Sequence, residues 1–286
     1  MIDFSGIGVV LPYTTSKNVR AICPWCGEYH HNNKKTLSCD TERGLFHCFR
    51  CGWKGRVTSE IGWTDCQPDP VALETHRSKR QFAIDSVLSE SVPIGTESAE
   101  VARRYLRNRG VMPEAIPSLR YHPALRYYQD LECQGKYPAL IADVRDITGR
   151  LVTLHRTYLS EDGRKAPVES PKKIMCVPQG SCTGAAIRLY MASDELVIAE
   201  GIETALALSC VLHLPAWAAI SAHGMEHVLL PECVRAVHIG ADNDKSGRGQ
   251  EAAQNLAARL IRNGIAVWIH TPDIPGTDWA DVRACA

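Results

Sequence analysis

The chain has 286 residues and a formal net charge of zero, with 45% hydrophobic and 22% charged residues, as is typical of a globular protein. No apolar run approaches the roughly eighteen residues of a membrane span, and the N-terminus lacks the basic region and cleavage site of a signal peptide. We therefore expect a cytoplasmic protein, with no membrane partner, that folds as two or three domains.

The charge is distributed unevenly along the chain. Residues 1–58 and 145–188 each carry a net charge of +4, whereas the segment from residue 191 onward carries −6. Two basic segments ahead of an acidic one suit a metal site that acts on a polyanion. Chance variation among surface residues is the alternative explanation.

Two C-x-x-C pairs form the first strong motif. Cys23 and Cys26 lie in C-P-W-C-G, and Cys48 and Cys51 lie in H-C-F-R-C-G. Four thiolates at this spacing predict a tetrahedral, structural Zn²⁺ site in a zinc ribbon. The competing interpretation, a redox dithiol, would not need the second pair.

Other residues near these pairs are alternative zinc ligands, namely His30, His31, Cys39 and His47. We prefer the symmetrical set of four cysteines and expect Cys39 to be a small buried residue on a strand. Short strands are predicted at 36–39 and 44–48.

A closed zinc site contributes to folding rather than to catalysis, so any binding function must lie on the surface of the ribbon. Basic residues interleaved with aromatic ones suit single-stranded nucleic acid, through phosphate contacts and base stacking. These residues are Arg20, Trp25, Lys34, Lys35, Phe49, Arg50, Trp53, Lys54 and Arg56. Alternatively the three aromatic residues form the ribbon core, which leaves basic residues such as Lys54 as the better binding candidates.

The middle of the chain is predicted to contain a linker followed by a basic α+β segment. Residues 59–95 have only weak patterns and indicate a linker that includes some helix at 71–87. The following elements are an amphipathic helix at 97–109 and strands at 119–122, 139–145 and 151–159, with a hairpin turn at 146–150.

Arg145, Arg156, Lys172 and Lys173 give this middle segment a basic face. Such a face suits a template strand or nucleoside triphosphates, and an ordinary solvated sheet face is the alternative.

From residue 196 onward, strands alternate with helices. This pattern predicts βαβ units around a parallel sheet. The predicted strands are 196–199, 216–220, 234–240 and 266–270, and the predicted helices are 203–212 and 246–263, the latter capped by Ser246.

Acidic residues follow two of these strands. Glu200 comes directly after the first strand, and Asp242 and Asp244 follow the strand that ends at Gly240. The carboxyl ends of parallel strands meet at one edge of the sheet, where open α/β sheets bind ligands. Three carboxylates there would repel one another, and a hard divalent cation such as Mg²⁺ would offset that repulsion.

These acidic motifs resemble the Toprim domain, which bacterial primases, topoisomerases and some nucleases share. The motifs are E-G at Glu200 and D-x-D-x-x-G from Asp242 to Gly247. A cysteine ribbon, a basic segment and a Toprim domain in this order resemble bacterial DNA primases, most of all those of phages and mobile elements. The segment 137–159 is similar to the basic half of the primase polymerase core.

The resemblance implies an α/β chain with three folded parts. These are a zinc-ribbon domain at 1–58, a mixed α+β basic subdomain at 96–190 and a Rossmann-like Toprim domain at 191–286, with a linker at 59–95. The implied activity is synthesis of short RNA primers on a single-stranded DNA template from ribonucleoside triphosphates. A replicative helicase, if one takes part, is expected to act in trans, because the chain ends after the Toprim motifs.

Residue roles also follow from the resemblance. Glu200, Asp242 and Asp244 are the implied catalytic residues, and with Asp278 they would hold Mg²⁺ or Mn²⁺. The chain departs from the family at Thr204, where many members have an aspartate. The neighbouring Glu203 and the distant Asp281 therefore have no assigned role. The basic residues of the middle segment would hold phosphates or template.

Two further functions remain open at this point. A Toprim nuclease would use the same metal site to activate water, but it would not obviously need the ribbon. A non-catalytic recombination mediator would use zinc and Toprim for assembly, although that class usually has a helix-hairpin-helix motif ahead of its zinc site. A topoisomerase would need a large separate domain with a nucleophilic tyrosine.

Overall fold

The computed structural model divides into two compact units, which are described separately. Unit 1 comprises Met1–Ala83 and Pro178–Ser181, and unit 2 comprises Ile84–Val177 and Cys182–Ala286. The structure describes residues 2–12, 16–25, 35–49, 53–57, 70–111, 116–129, 132–243, 247–272 and 279, with the backbone alone at 70–73 and 76.

Unit 1 contains a four-stranded antiparallel sheet in which sequence neighbours pair. The strands are β1 (Asn18–Ala21), β2 (Leu37–Asp40), β3 (Leu45–Cys48) and β4 (Lys54–Arg56). The two strands predicted between the cysteine pairs are confirmed to within one residue. Buried and exposed side chains alternate along β1 and β3, so one face of the sheet packs on a small core.

Gly44 makes the tight turn between β2 and β3 possible. Its φ is +71°, and a Cβ at this position would lie 2.0 Å from the carbonyl oxygen of Val57. Only glycine fits without moving the backbone, so this residue fixes the antiparallel pairing of Asp40 with Leu45.

Helix α1 (Pro70–Ser89) occupies most of the second half of the predicted linker. The first half, residues 59–69, lies outside the described residues. Ile84 and Val87, in the last turns of α1, are buried against Tyr127 and Tyr158 in one core cluster of unit 2. The helix predicted within 71–87 is therefore present, but the charged residues around these few apolar positions hide the fact that its end belongs to the folded core.

The first part of unit 2 is antiparallel. Its elements in chain order are β5 (Val92–Pro93), α2 (Glu100–Asn108), β6 (Leu119–Gln129), β7 (Glu132–Arg145), β8 (Leu151–Tyr158), β9 (Lys172–Ile174) and β10 (Ala186–Arg188). The strands predicted at 119–122 and 139–145 are the apolar ends of β6 and β7. Both strands continue as a more exposed hairpin whose polar side chains hide the strand signal in the sequence.

The second part of unit 2 is the predicted parallel sheet. Its strands are β11 (Glu195–Ala199), β12 (Ala216–Ala218), β13 (Ala236–Gly240) and β14 (Ala266–His270), and its helices are α3 (Ile202–Leu212), α4 (Ala222–His227) and α5 (Arg248–Arg262). The strands lie in the order β14–β13–β11–β12, and every neighbouring pair is parallel. The α/β class is therefore confirmed.

Helix α5 begins two residues later than predicted. Gly247 is its N-cap residue, with a φ of +67° and no capping side-chain hydrogen bond. Ser246, the predicted cap, lies outside the described residues. The backbone at this N-cap position is left-handed. Glycine adopts that conformation at little cost and serine does not, so the cap residue is a glycine rather than the predicted serine.

The two parts of unit 2 share one sheet. Strand β10 pairs antiparallel with β12 on one side and with β7 on the other, so ten strands are continuous. One core cluster contains Leu106 and Leu140 from the first part together with Val197 and Leu206 from the second. The boundary predicted at 190/191 thus falls within one compact unit. Within the described residues, no helix has an apolar stretch long enough to cross a membrane.

Candidate active site

A cavity of about 120 Å³ opens at the carboxyl ends of β11, β12 and β13 in unit 2. Its lining combines three carboxylates, a lysine, a histidine and a threonine with apolar residues and one glycine. The lining residues are His155, Lys172, Ile187, Glu200, Gly201, Ile202, Glu203, Thr204, Ile220 and Asp242. This edge of the sheet is where parallel α/β sheets bind ligands.

Glu200 and Asp242 reach the cavity from neighbouring strands. Glu200 directly follows β11 and Asp242 lies two residues after β13, and the register pairs Ala199 with Gly240. The hydroxyl of Thr204 donates a hydrogen bond to Oδ1 of Asp242 over 3.1 Å. The three other predicted metal-site or provisional acids, Asp244, Asp278 and Asp281, lie outside the described residues.

Lys172 and Glu203 form an ion pair in this cavity. Lys172 Nζ lies 2.8 Å from Glu203 Oε2, and the hydroxyl of Tyr105 in α2 donates a hydrogen bond to Glu203 Oε1. Burial raises the pKa of Glu203, but the Lys172 ammonium and the two hydrogen bonds outweigh it and lower the pKa to about 2. Glu203 is therefore ionised at neutral pH although it is buried.

His155 lines the same cavity from β8. The residue is buried, and within the described part of the chain no partner lies within hydrogen-bonding distance of its Nδ1. Burial and then the nearby Lys172 ammonium lower the pKa of His155 to about 4. The imidazole is neutral at pH 7 and offers a ring nitrogen to a water or ligand in the cavity.

Ile220 closes the cavity in an unfavourable backbone conformation. It follows β12 with a φ of +77°, in the left-handed region that a β-branched residue rarely adopts. Its N–H donates to the carbonyl oxygen of Glu200 over 2.8 Å, which joins the ends of β11 and β12. Backbone strain of this kind concentrates at functional sites, where the surrounding structure holds it in place.

The glycine of the E-G motif provides room for the ion pair. A Cβ on Gly201 would lie 3.3 Å from Glu203 Oε2 and 3.8 Å from Lys172 Nζ. The ammonium and the carboxylate thus pack against the backbone directly after Glu200, and a Cβ there would press on the Glu203 carboxylate.

Of the four basic residues of the middle segment that were predicted to hold template or phosphates, three do not line this cavity. Arg145 donates hydrogen bonds to Asp143 and Gly149, at 2.6 and 2.9 Å, and Arg156 donates to the hydroxyl of Tyr158 over 3.2 Å. Lys173 points from β9 to the carbonyl oxygen of Tyr128 over 2.5 Å and lies 4.2 Å from the centre of the Tyr127 ring. Lys172 alone of this set reaches the carboxylates.

Sequence reasoning missed Tyr105, His155 and Ile220. The sequence pattern puts Tyr105 on the apolar face of its helix, but its hydroxyl donates a hydrogen bond to the carboxylate of Glu203, ninety-eight residues later in the chain. The sequence pattern groups His155 with Arg145 and Arg156 on the basic face of the strands, whereas the residue is buried and lines the cavity. Ile220 had no signal, because its contribution is a backbone angle.

In unit 1, Cys23 and Cys48 are both buried in the core, and Cys26 and Cys51 lie outside the described residues. Cys39 is also buried on β2, and burial raises the pKa of its thiol to about 11. Its position on this strand agrees with the expectation that Cys39 is a small buried residue.

The ribbon aromatics divide between core and surface. Trp53 is buried against Phe46, whereas Trp25 and Phe49 are each at least half exposed. The guanidinium of Arg20 lies 4.4 Å from the centre of the Phe49 ring. A groove of about 570 Å³ runs along this sheet face, and its lining includes His47, Phe49, Lys54 and Arg56. This face combines positive charge with a stacking surface.

A second group of possible metal ligands lies on α4. Within the described residues, ligand atoms of His223, Glu226 and His227 lie within 4.8 Å of one another. Both oxygens of Glu226 already accept hydrogen bonds from Arg248, at 2.8 and 3.0 Å. Glu226 thus ties α4 to the first residue of α5 and is not available to a cation without breaking that contact.

Comparison with protein families gives two matches. Residues 78–189 match a domain of unknown function (DUF7146), and residues 195–285 match the Toprim domain. The second match confirms the Toprim resemblance that the E-G and D-x-D-x-x-G motifs predict. His155 and Lys172 lie in the first region and Glu200 and Asp242 in the second, so both regions contribute to the cavity.

Several solved structures of primases are similar to the chain. The zinc-binding and RNA polymerase domains of the Aquifex aeolicus primase are 16% identical over 95% of this chain and 76% of theirs, with a TM-score of 0.47. A primase domain from Pseudomonas aeruginosa is 16% identical over 73% of this chain and 74% of its own, with a TM-score of 0.45. The primase fragment of the bacteriophage T7 primase-helicase protein is 14% identical over 95% of this chain and 94% of its own, with a TM-score of 0.42. No curated protein sequence matches the chain.

Proposed function

We propose that the protein is a DNA primase, which synthesises short RNA primers on single-stranded DNA by metal-dependent nucleotidyl transfer. One observation carries the proposal: Glu200 and Asp242 share a cavity with Lys172 at the carboxyl edge of a parallel sheet that matches the Toprim domain. Carboxylates beside a lysine suit a reaction in which phosphates and a divalent cation meet.

The donor set of the cavity fits a hard divalent cation. Glu200 and Asp242 offer carboxylate oxygens, which Mg²⁺ and Mn²⁺ prefer, and Thr204 orients one oxygen of Asp242. Asp244 and Asp278 are the further ligands that the sequence predicts. The bound cation would supply charge stabilisation for the triphosphate and the leaving pyrophosphate.

The side chains of the chain then have separate tasks. Lys172 binds a phosphate oxygen of the incoming ribonucleotide, because its ammonium lies in the same cavity as the carboxylates. Glu200 orients the attacking hydroxyl or accepts its proton. Arg145, Arg156 and Lys173 lie elsewhere on the strands and hold the template or more distant phosphates.

The ribbon is the template-binding part of the proposal. Zn²⁺ held by Cys23, Cys26, Cys48 and Cys51 stabilises the fold. Lys54 and its neighbours along the groove contact phosphates, and exposed Phe49 stacks on a base. The sequence motifs favour a phage or mobile-element setting in the cytoplasm, where a replicative helicase is a candidate partner.

Primer synthesis on defined templates tests the proposal. The protein is incubated with single-stranded DNA of varied sequence, labelled ribonucleotides and Mg²⁺ or Mn²⁺. We expect short oligoribonucleotides from the wild type and a loss of at least about 100-fold in Glu200→Gln and in Asp242→Asn, because each removes a charge from the cation site. Glu251→Gln is the matched control, since Glu251 is an exposed residue of α5 outside the cavity.

The same assay separates the alternatives. Shortening of the template, lost in the same two variants, would identify a Toprim nuclease. Template binding with neither product would favour the recombination mediator. Primer synthesis that persists in Glu200→Gln would contradict the assignment of this cavity as the catalytic site.

A further inference from the structure

Glu203 is a buried carboxylate for which the proposed reaction has no task. Its side chain is 4% exposed, whereas that of its partner Lys172 is 37% exposed. Burying an ionised carboxylate is unfavourable unless hydrogen bonds and an opposite charge compensate. A buried charge at the edge of a catalytic cavity therefore calls for an explanation other than fold stability.

Both carboxylate oxygens of Glu203 are already engaged. Oε1 accepts the hydroxyl hydrogen of Tyr105, and Oε2 accepts from Lys172 Nζ over 2.8 Å. A metal ion bound by Glu203 would have to share an oxygen with one of these donors and would lie beside the Lys172 ammonium, whose positive charge repels it. The two donors come from α2 and β9, which lie in the region matching the domain of unknown function, whereas Glu203 lies in the Toprim region.

The ion pair also fixes where the ammonium lies. Lys172 Nζ is 3.8 Å from the position of a Cβ on Gly201, so it sits against the backbone that directly follows Glu200. An ammonium has three hydrogens, and one of them is used by Glu203. The remaining hydrogens are free to point toward an anion in the cavity.

We propose that Glu203 is a positioning residue rather than a metal ligand: together with Tyr105 it holds the Lys172 ammonium in place to bind a phosphate of a nucleoside triphosphate. This inference deepens the proposed function and rests on it. It also gives the domain of unknown function a task, which is to supply the phosphate-binding lysine to the Toprim carboxylates.

The other charged and titratable groups around the pair agree with this role. His155 is buried beside it and neutral at pH 7, so it does not compete for Glu203. Thr204, the residue after Glu203, bonds to Asp242 and not to the ion pair. Tyr105 of α2, Glu203 of α3 and Lys172 of β9 thus form one hydrogen-bonded chain, with the lysine at its end.

Nucleotide binding without turnover is the test. Binding of ATP in the presence of Mg²⁺ is measured by calorimetry, with no template, for the wild type, Glu203→Gln, Lys172→Met and the double variant. We expect each single change to weaken ATP binding by about tenfold, since a charged hydrogen bond is lost or loosened. The double variant should bind no more weakly than Lys172→Met, because Glu203 acts through the lysine.

Binding of Mn²⁺ alone, followed by its electron paramagnetic resonance signal, distinguishes positioning from ligation. A positioning residue leaves Mn²⁺ affinity within about twofold of the wild type, whereas Asp242→Asn should lower it strongly. A tenfold loss of Mn²⁺ affinity in Glu203→Gln, additive losses of ATP affinity, or a wild type that does not bind ATP would each overturn the inference.

Tyr105→Phe provides a second variant that keeps the buried ion pair. It removes one donor to Glu203, and we expect ATP binding to weaken by about threefold with Mn²⁺ binding unchanged. An unchanged ATP affinity in Tyr105→Phe would remove the tyrosine from this hydrogen-bonded chain. If the wild type binds ATP in this manner but makes no primer, the inference stands and the proposed function fails.

Discussion

Burial of His155 makes the stability of unit 2 depend on pH. Its folded-state pKa is lowered to about 4 from an ordinary value of 6.5, by burial first and by Lys172 second. Above pH 6.5 the residue is neutral in the folded and unfolded states alike. Between pH 6.5 and 4 the unfolded chain takes up a proton that the folded chain resists, so stability is lost as the pH falls.

This linkage predicts a difference between the wild type and His155→Gln. On lowering the pH from 7.5 to 5.0, the free energy of unfolding of the wild type should fall by about 2 kcal/mol more than that of the variant. Glutamine keeps a polar side chain in the cavity but does not titrate. Urea unfolding at both pH values provides the measurement, and equal losses in the two proteins would show that His155 does not titrate as described.

The turn between β12 and α4 is the most constrained connection at the site. Ile220 is left-handed at φ +77°, and the hydroxyl of Ser221 caps α4 by accepting the N–H of Gly224 over 3.0 Å. A Cβ on Gly224 would lie 2.0 Å from the carbonyl oxygen of Ala219. The chain therefore reverses within a few residues, and the turn holds Ile220 in its unfavourable angle.

At this turn we expect a glycine substitution to give a more stable protein than an alanine substitution, which is the reverse of the usual order. Both Ile220→Ala and Ile220→Gly remove the side chain, but only glycine adopts a positive φ without strain. Ile220→Gly should therefore be more stable to urea than Ile220→Ala by about 1 kcal/mol. Ala205→Gly is the control: Ala205 lies inside α3, where alanine should be the more stable residue. If Ile220→Ala is more stable to urea than Ile220→Gly, the backbone at residue 220 is not strained as described.

Elements with continuous apolar runs could be predicted from the sequence, and those defined by a turn or by tertiary contacts could not. Strands β11, β13 and β14 were found to within two residues because their side chains are apolar or face the core. The polar hairpin of β6 and β7 was missed, since its apolar residues are sparse. The helix predicted within 71–87 is present as α1, but the packing of its end into the core was not predicted. At the site, Glu200 and Asp242 were predictable because strand ends align at one edge. The contact of Tyr105 with Glu203 depends on where α2 packs, which no local pattern specifies.

At the scale of the whole molecule, the two units have different sources of stability. The core of unit 1 is small and contains Cys23, Cys39 and Cys48 among a few apolar residues. Small domains of this kind usually depend on a metal. Unit 2 has large cores on both faces of the parallel sheet and does not need one.

Removal of the zinc ion proposed for the four cysteines should therefore unfold unit 1 and leave unit 2 folded. Metal analysis of the wild type should find about one zinc per chain. In the Cys48→Ser, Cys51→Ser double variant we expect no zinc and rapid amide exchange in β1, β2 and β3, while β11 and β13 stay protected. Cys133→Ser, which changes an exposed cysteine of unit 2, is the control. Protected ribbon strands in the zinc-free variant would show that the core suffices without metal.

The antiparallel strand β10 has a consequence for how this protein could have evolved. Only three residues long, it joins the lysine-bearing half of unit 2 to the carboxylate-bearing half by pairing Ile187 with Val144 on one side and with Ala218 on the other. A recombination event that exchanged either half would have to preserve the pairing of β10 with β12 and the core that both halves share. Lineages of this chain are thus expected to change substrate by replacing side chains around the cavity rather than by exchanging whole domains, and the two matched regions should be inherited together.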